Sequence, residues 1–250
     1  MEKQFQGNMR EKQAIKETFN ELSSHYEDAI DWELNKFWGW SYQRFLDELV
    51  IRTPIKEGQK ILDIATGTSV IPRKIAAGNI SGVHIAGLDI TEEMLRKGKE
   101  KIHKEEKQAF ISLICGDAMA LPFSGQSFDV VLSGLASHHM NIPLMLSEKR
   151  RVLKPGGLLS FIDVGMSPFW ELPVIRGITR VIIFIYFLLQ KNPARAWAES
   201  VAISNTRTPE GWNEELIKAG FEEIKITKLS SKYRWIPEPL TIQATYSLEE

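Results

Sequence analysis

The chain has a single cysteine, no long apolar run and no secretion signal. Because Cys115 is the only cysteine, no disulfide can form within the chain, and a reducing, cytoplasmic compartment is expected. Residues 1–10 are polar and mixed in charge, unlike a secretory signal. The most apolar stretch, residues 181–189, would reach only about 14 Å as a helix, about half of a bilayer core. The sequence therefore excludes a disulfide scaffold and a membrane-spanning helix.

An excess of charge of either sign is also missing. Lys and Arg number 31 against 32 for Asp and Glu, so the chain lacks the basic surplus with which many proteins bind nucleic acid. We therefore expect no nucleic-acid partner. The 250 residues, 43% of them hydrophobic, are enough for one large domain with a substantial core.

From residue 60 onward, short apolar runs alternate with helical patterns. Each run is apolar almost throughout, which is typical of parallel strands that are covered on both faces. Cys115 ends the third run and is expected to be a buried strand residue. The predicted strands are residues 60–64, 84–90, 110–115, 128–133 and 158–164, and the predicted helices are 70–77, 92–105 and 145–153.

The first 55 residues predict a helical cap in front of this alternating region. Ile15, Phe19, Leu22 and Tyr26 recur at the spacing of one helix face. Tryptophan and phenylalanine are frequent in the stretch that follows. The N-terminal part therefore predicts amphipathic helices that pack on the domain.

The last third of the chain breaks the alternation. Prolines punctuate residues 165–208, which we expect to form a helical lid over the sheet edge. Residues 209–250 offer a further helix and two runs, 224–229 and 241–247, that can pair antiparallel. The pattern predicts a single α/β domain with its core at residues 56–164. Its fold class is a Rossmann-like, doubly wound, mostly parallel seven-stranded sheet with N-terminal helices and a helical insertion before the last strands.

A glycine turn follows the first predicted strand, in the sequence ILDIATGTS at residues 61–69. Gly67 has no Cβ, so a ligand can approach its backbone closely. The next helix begins there and offers free N–H groups to polar ligand atoms. Ser69 is expected to cap that helix.

Three aspartates stand at the ends of successive predicted strands. Because the carboxyl ends of parallel strands share one edge of a sheet, we expect Asp63, Asp89 and Asp117 to lie close together. The Asp89 carboxylate can accept both hydroxyls of a ribose, and Asp117 can accept an adenine amino group. Each aspartate alone could simply cap a turn. Together with the glycine turn, they predict a nucleoside-containing cofactor.

These motifs resemble the class I S-adenosylmethionine-dependent methyltransferases over about residues 56–161. The ATGT turn resembles the ubiquinone/menaquinone C-methyltransferase branch, and LPF at 121–123, SFDVV at 127–131 and RVLKPGG at 151–157 are further similar segments. The resemblance implies methyl transfer from S-adenosylmethionine to a small, apolar acceptor. The cofactor-binding residues that it implies are Asp63, Ala65, Thr66 and Gly67 for the methionine part, Asp89 for the ribose and Asp117 for adenine, with Ile90, Met94, Ala118 and Ser133 beside them.

The sequence departs from that branch at two positions. The family's turn usually closes on glycine, where this chain has Ser69. The quinone methyltransferases carry an Arg-Asn pair after strand four, where this chain has Ser137 and His138. The acceptor therefore cannot be named from the resemblance alone.

His138 and His139 follow the fourth predicted strand at the same sheet edge. Either could be the general base that deprotonates the acceptor, because imidazole titrates near neutral pH. The alternative is that they only pack or cap. We expect no metal site, because no further ligands stand at a suitable spacing.

Aromatic residues outside these motifs could wall an acceptor pocket, although each could equally be ordinary core. The residues predicted to bind the acceptor are Trp38, Phe169, Trp170 and Phe184. Basic residues flank the apolar run at 181–189. That arrangement also suits a helix that lies at a membrane surface, so peripheral membrane contact is a further expectation.

Two other functions remain open at this point. An NAD-linked oxidoreductase can use a similar sheet, but it would need a fuller glycine fingerprint than this turn provides. A cyclase or a binding module could keep the cofactor pocket without transferring a methyl group. Formation of S-adenosylhomocysteine during turnover distinguishes methyl transfer from both.

Overall fold

The computed structural model describes residues 2–78, 80–107 and 110–247, and for residues 2–11 it describes the backbone alone. Over these ranges the chain forms one seven-stranded sheet flanked by helices. The strands are β1 (Lys60–Ile64), β2 (His84–Asp89), β3 (Ile111–Cys115), β4 (Phe128–Gly134), β5 (Leu153–Asp163), β6 (Glu222–Lys228) and β7 (Leu240–Tyr246). The helices are α1 (Glu2–Leu22), α2 (Tyr26–Trp38), α3 (Tyr42–Arg52), α4 (Val70–Ala77), α5 (Glu92–Lys104), α6 (Ile142–Val152), α7 (Pro168–Glu171), α8 (Pro173–Leu189), α9 (Pro193–Ala202) and α10 (Pro209–Lys218).

The sheet has the strand order β3-β2-β1-β4-β5-β7-β6. Strands β1 to β5 run parallel, whereas β7 pairs antiparallel with both β5 and β6. The predicted doubly wound, mostly parallel seven-stranded sheet is therefore confirmed. The strand order reverses between β1 and β4, and such a reversal opens a crevice at the carboxyl ends of the strands. A ligand site is expected at this point.

Two element boundaries in the middle of the chain differ from the prediction. α6 begins at Ile142, three residues earlier than predicted, because the Asn141 side chain caps its first turn and Pro143 fits that turn. β5 begins at Leu153, five residues earlier than predicted, because Leu153 already pairs with Phe128 before an irregularity in the ladder. The sheet positions of the other predicted strands agree to within about two residues.

The apolar stripe at the N-terminus does not belong to one helix. α1 ends at Leu22 and α2 begins at Tyr26. The Ser23 hydroxyl donates to the carbonyl of Asn20 at 2.8 Å, and such side-chain bonds compete with helix continuation. Tyr26 consequently starts a second helix with a direction of its own.

Cys115 is exposed, so the expectation of a buried strand residue is wrong. It does lie at the end of a strand. β3 is the edge of the sheet and has a neighbour on one side only, which leaves its last residue accessible to solvent.

The insertion after β5 forms two layers. α9 packs against α1 and against the 3₁₀ turn Ser137–His139, so it is the part of the insertion nearest to the sheet edge. α8 packs on α9 and leaves one side at the molecular surface. Within residues 2–78, 80–107 and 110–247, no helix is both long enough and apolar enough to cross a membrane.

Lys149 of α6 is completely buried against the sheet. Its Nζ donates to Ser133 Oγ at 2.8 Å and lies 4.9 Å from the ring centroid of Phe161. Burial lowers the pKa of Lys149 to about 7, and the negative charges of Asp163 and Asp63 offset only part of that effect. The core therefore contains an amine whose hydrogen-bond partner is a neutral hydroxyl.

Replacing Lys149 with Met should flatten the pH dependence of stability above neutrality. Between about pH 7 and 10.5, the unfolded chain binds a proton at this lysine that the folded chain does not, so the free energy of unfolding rises with pH. In Lys149→Met this rise should shrink. Chemical denaturation at neutral and at alkaline pH measures it, with the exposed Lys218→Met as the control. The same rise in Lys149→Met as in the wild type would contradict the expected low pKa.

Candidate functional site

A cavity of about 90 Å³ lies at the carboxyl edge of the sheet, where the strand order reverses. It brings together most of the predicted cofactor residues. Those that line it are Ala65, Gly67, Asp89, Ile90, Met94, Asp117 and Ala118, and the predicted base His139 lines it as well. The strand-end positions that the sequence singled out therefore converge on one place.

Asp89 holds the glycine turn in position. Its Oδ2 accepts the N–H of Gly67 at 2.8 Å, and its Oδ1 accepts the N–H of Thr91 at 2.9 Å. Burial raises the pKa of this carboxyl, although the N–H groups of Thr91 and Gly67 act against that effect. Gly67 has φ +52°, and a Cβ at this residue would point toward the Tyr26 ring on the cavity wall. A bare backbone is thus presented to the ligand.

Asp63 and Thr66 support this turn but do not line the cavity. The Thr66 hydroxyl donates to Asp63 Oδ2 at 2.6 Å, and the other Asp63 oxygen has no hydrogen-bond partner in the structure. Burial raises the pKa of Asp63 to about 7. The expected direct contact of these two residues with the cofactor therefore stays a prediction. In the structure, Asp63 and Thr66 are hydrogen-bonded to each other next to the turn.

Ser69 does not cap α4, contrary to the expectation. Its φ is +63°, in the left-handed region, and its side chain makes no capping hydrogen bond. Its hydroxyl is buried without a partner, and Gly98 of α5 leaves the room that this hydroxyl occupies. A left-handed backbone explains why related turns close on glycine at this position.

Ser69→Gly should raise the free energy of unfolding by about 1 kcal/mol, because it removes left-handed strain of about that size. It also removes the unpaired hydroxyl. Ser69→Ala is the matched control, since it loses the hydroxyl and keeps the strain, and it should gain less. Thermal and chemical denaturation measure both. A glycine variant no more stable than the alanine variant would show that the backbone at residue 69 is not strained.

Helix α1 closes the end of the cavity at Asp117. Lys12 Nζ pairs with Asp117 Oδ2 at 2.5 Å, and the N–H of Met119 donates to Asp117 Oδ1 at 2.9 Å. Ile15 and Phe19 of α1 line the cavity beside Lys12. Ligand sites are usually about 300–1,000 Å³ in volume, so this cavity is small for a nucleoside cofactor.

Two histidine–carboxylate pairs lie at the 3₁₀ turn Ser137–His139, beside the cavity. His138 Nδ1 lies 2.5 Å from Asp163 Oδ1, and the backbone N–H of His138 donates to Asp163 Oδ2. His139 Nε2 lies 3.9 Å from Glu199 Oε2 of α9. Its ring packs edge-on against Phe19, with 5.5 Å between centroids. Only His139 of the two lines the cavity.

The two imidazoles differ in basicity. Burial lowers the pKa of His138, but the Asp163 carboxylate outweighs burial and raises it above the usual value. Burial, together with the neighbouring His138, lowers the pKa of His139 to about 4. At neutral pH the ring that faces the cavity is therefore the neutral one.

His138, His139 and Glu199 hold their ligating atoms within 4.8 Å of one another, and no other such group occurs in the part of the chain that the structure describes. Asp163 already engages His138, and Arg195 Nε lies 3.4 Å from Glu199. Two of the three side chains are thus already engaged in ion pairs with other residues, which argues against a metal at this group.

None of the four aromatic residues predicted to bind the acceptor lines this cavity, so their contact with the acceptor stays a prediction. The indoles of Trp38 and Trp170 donate to the carbonyls of Pro237 and Trp235. Phe169 and Phe184 are exposed, and Phe184 lies on α8, in the outer layer of the insertion. Ser133 and His138 are also absent from the lining, since the first accepts from Lys149 and the second bonds to Asp163.

The apolar wall of the cavity beside His139 comes from residues that were not among the predicted site residues. They are Phe19, Leu135, Ala136, Met119 and Met140. Phe19 belongs to the helical stripe that the sequence shows in α1, but such a stripe normally indicates residues of the hydrophobic core. No sequence feature points to Glu199, because it is far from His139 along the chain.

The lining fits S-adenosylmethionine. Gly67 exposes backbone where a Cβ would intrude, Asp89 and Asp117 offer carboxylate oxygens, and Ile90 and Met94 supply apolar surface between them. Carboxylate acceptors suit a ribose diol and an exocyclic amine. The lining therefore combines hydrogen-bond acceptors with a turn free of side chains, as this cofactor requires.

Asp89→Ala should weaken cofactor binding by one to two orders of magnitude. The change leaves the N–H groups of Gly67 and Thr91 and the ribose hydroxyls unpaired, at about 1–3 kcal/mol for each buried group. Calorimetry with S-adenosylhomocysteine measures the affinity. The control is Asp129→Ala, which removes a carboxylate near the start of β4, at the end of that strand away from the cavity. Unchanged affinity in a folded Asp89→Ala protein would remove Asp89 from the site.

A second, larger depression lies away from these residues. It is an open cleft of about 830 Å³ lined by side chains of α6 and α10, among them Arg150 and Lys218. It contains none of the strand-end aspartates and no glycine turn. The smaller cavity is therefore the candidate site, because it is the one lined by the strand-end aspartates, the glycine turn and His139.

Comparison with known proteins adds sequence relatives and shared folds. The model of the ubiE/COQ5 methyltransferase family matches residues 7–174. A demethylmenaquinone methyltransferase of Symbiobacterium thermophilum is 32% identical over 176 residues, which cover 65% of this chain and 68% of the relative.

Two solved structures have the same fold, with sequence identities of 20% or less. The [4+2]-cyclase SpnF has a TM-score of 0.65 and 17% identity, over 84% of this chain and 83% of its own. The Haemonchus contortus phosphoethanolamine N-methyltransferase 2, in complex with S-adenosyl-L-methionine, has a TM-score of 0.61 and 20% identity, over 84% of this chain and 54% of its own.

Proposed function

Because the chain belongs to the ubiE/COQ5 methyltransferase family and is an S-adenosylmethionine-dependent methyltransferase of small molecules, we propose that it methylates a lipophilic, hydroxylated ring compound of the quinol class. The relatives named demethylmenaquinone methyltransferases make demethylmenaquinol the first acceptor to test. The sequence departs from the quinone enzymes at Ser137 and His138, so close analogues of that acceptor belong in the same test. A cytoplasmic location remains a prediction.

One observation supports this choice above the others: a neutral histidine with a carboxylate partner stands at an apolar end of the cavity. His139 lines the cavity beside Phe19, Leu135 and Met140, and Glu199 lies behind it. A hydroxylated ring would place its apolar body on this wall and its hydroxyl against the imidazole. Loss of the hydroxyl proton makes the ring more nucleophilic toward a methyl group.

Different residues orient the cofactor and accept the proton. When bound, S-adenosylmethionine supplies a methyl group that is already activated on a positively charged sulfur. Gly67 and Asp89 orient the cofactor, and His139 accepts the hydroxyl proton of the acceptor. Glu199 compensates the charge that the imidazole gains. Alignment in a cavity without bulk water can account for several kcal/mol of the barrier.

We extend the proposal to the insertion at residues 165–208. None of its residues lines the cavity, but α9 packs against α1 and carries Glu199 to His139. A lid role therefore falls to α9 rather than to α8. Because the cavity is small for a nucleoside cofactor, α1 would have to move outward to admit one, and its contact with α9 would transmit that movement.

His139→Ala should lower the rate of methyl transfer by about 10²–10⁴-fold at saturating cofactor, the usual contribution of a general base. The affinity for S-adenosylhomocysteine should stay within a few fold of the wild type. The readout is S-adenosylhomocysteine formed with demethylmenaquinol and with simpler hydroxylated naphthalenes. His84→Ala, at the opposite end of β2, is the control.

The pH profile separates this base from an ordinary histidine. With a pKa of about 4, His139 is neutral across the range above pH 5, so the rate should be flat there and fall only as His139 is protonated at lower pH. A rate that halves near pH 6.5, or a full rate in His139→Ala, would assign the proton to another group. Cofactor binding without S-adenosylhomocysteine formation with any acceptor would point to a cyclase or a binding module.

A further inference from the structure

Helix α8 presents a continuous apolar face to solvent. At about 100° per residue, seven of its side chains fall within an arc of about 120°, and every residue in that arc is a large aliphatic one. All seven are exposed, from 46% for Leu188 to 79% for Leu189. We call them the α8 face: Val174, Ile178, Val181, Ile182, Ile185, Leu188 and Leu189. An apolar surface of this size marks an interaction site.

The opposite side of α8 is fixed to the domain. Phe187 is buried, and the guanidinium of Arg195 lies 4.5 Å from its ring centroid. The hydroxyl of Tyr186 accepts from Lys36 Nζ of α2 at 3.2 Å. These contacts hold the helix between α2 and α9, so the α8 face points outward.

Cationic and aromatic side chains lie beside the α8 face. Lys191, just beyond the end of α8, is exposed and has no acidic partner in the described ranges. Lys36 Nζ lies 4.3 Å from the ring centroid of Trp32, which is itself half-exposed. The only acid from residue 168 to residue 191 is Glu171, which pairs with Arg176. The rim is therefore positive.

We propose that the α8 face docks on an anionic membrane surface. The helix would lie in the plane of the bilayer, with its aliphatic side chains at the boundary between headgroups and acyl chains. This combination of an apolar face, flanking cations and a tryptophan at the border is the one that interfacial helices use. Lys191 and Lys36 would then contact lipid phosphates.

A second copy of the chain fits the same face less well. In a twofold dimer the same patch meets itself, so the positive rim of one copy would face that of the other. Anionic lipid instead complements the rim. The proposal concerns a surface outside the cavity and does not depend on which acceptor the enzyme uses.

Sedimentation with vesicles tests the proposal without any acceptor. Wild-type protein should bind vesicles of phosphatidylglycerol and phosphatidylcholine in equal parts, and bind vesicles of phosphatidylcholine alone more weakly. Ile182→Asp and Ile185→Asp should each weaken binding at least about tenfold, because each removes a buried isoleucine from the interface. Ile217→Asp, on the exposed side of α10, is the matched control and should bind like the wild type.

The charged rim has its own prediction. Lys191→Gln should weaken binding to the anionic vesicles about fivefold, whereas Arg180→Gln, on the opposite side of α8, should not. Salt should weaken wild-type binding, because the contribution is electrostatic. Circular dichroism and S-adenosylhomocysteine affinity verify that every variant is folded. Since no acceptor is present, a failure of vesicle binding is distinct from a failure of the proposed methyl transfer.

Three results would overturn the proposal. The first is wild-type protein that stays in solution with anionic vesicles. The second is an Ile185→Asp variant that binds them as the wild type does. The third is a dimer in light scattering that Ile182→Asp converts to a monomer without any vesicle binding, which would assign the α8 face to a second copy of the chain.

Discussion

The carboxylate of Asp89 joins the two backbone segments on which the cofactor site depends. One oxygen binds the N–H of Gly67 in the glycine turn, and the other binds the N–H of Thr91 at the start of α5. If the segments separated, these N–H groups and a buried charge would be left unpaired, which costs more than the bonds contribute. Because each carboxylate oxygen has two lone pairs, Asp89 can hold the turn and still accept from a ligand.

The glycine turn shows why this anchoring is needed. Ala65, Gly67 and Ser69 all have positive φ, an arrangement that costs energy at the two residues that are not glycine. The bond from Thr66 to Asp63 and the bond from Gly67 to Asp89 compensate that cost. In return, the backbone curves around a space that no side chain enters. Strain is thus concentrated where a ligand must come close.

The sequence predicts the part of the site that lies on consecutive strands, because alternation and strand-end residues are local signals. The amino-acid pattern alone was enough to place Asp89 and Asp117 on one edge of the sheet. It could not place Glu199, since only the packing of α9 brings that residue to His139. Trp38 was selected for its type alone, and its indole N–H is instead satisfied by the carbonyl of Pro237 in a distant loop. Residue type identifies candidates, whereas tertiary packing decides which of them reach the cavity.

The two adjacent histidines acquire different roles from their carboxylate partners. Two imidazoles whose ring centroids are 4.3 Å apart cannot both carry a proton at low cost, so protonation of one lowers the pKa of the other. Asp163 bonds to His138 directly, at 2.5 Å, whereas Glu199 is 3.9 Å from His139 and shared with Arg195. Of the two, His138 is therefore protonated first, behind the cavity. His139 is left neutral at the apolar wall, which is the state in which a base can accept a proton from a bound hydroxyl.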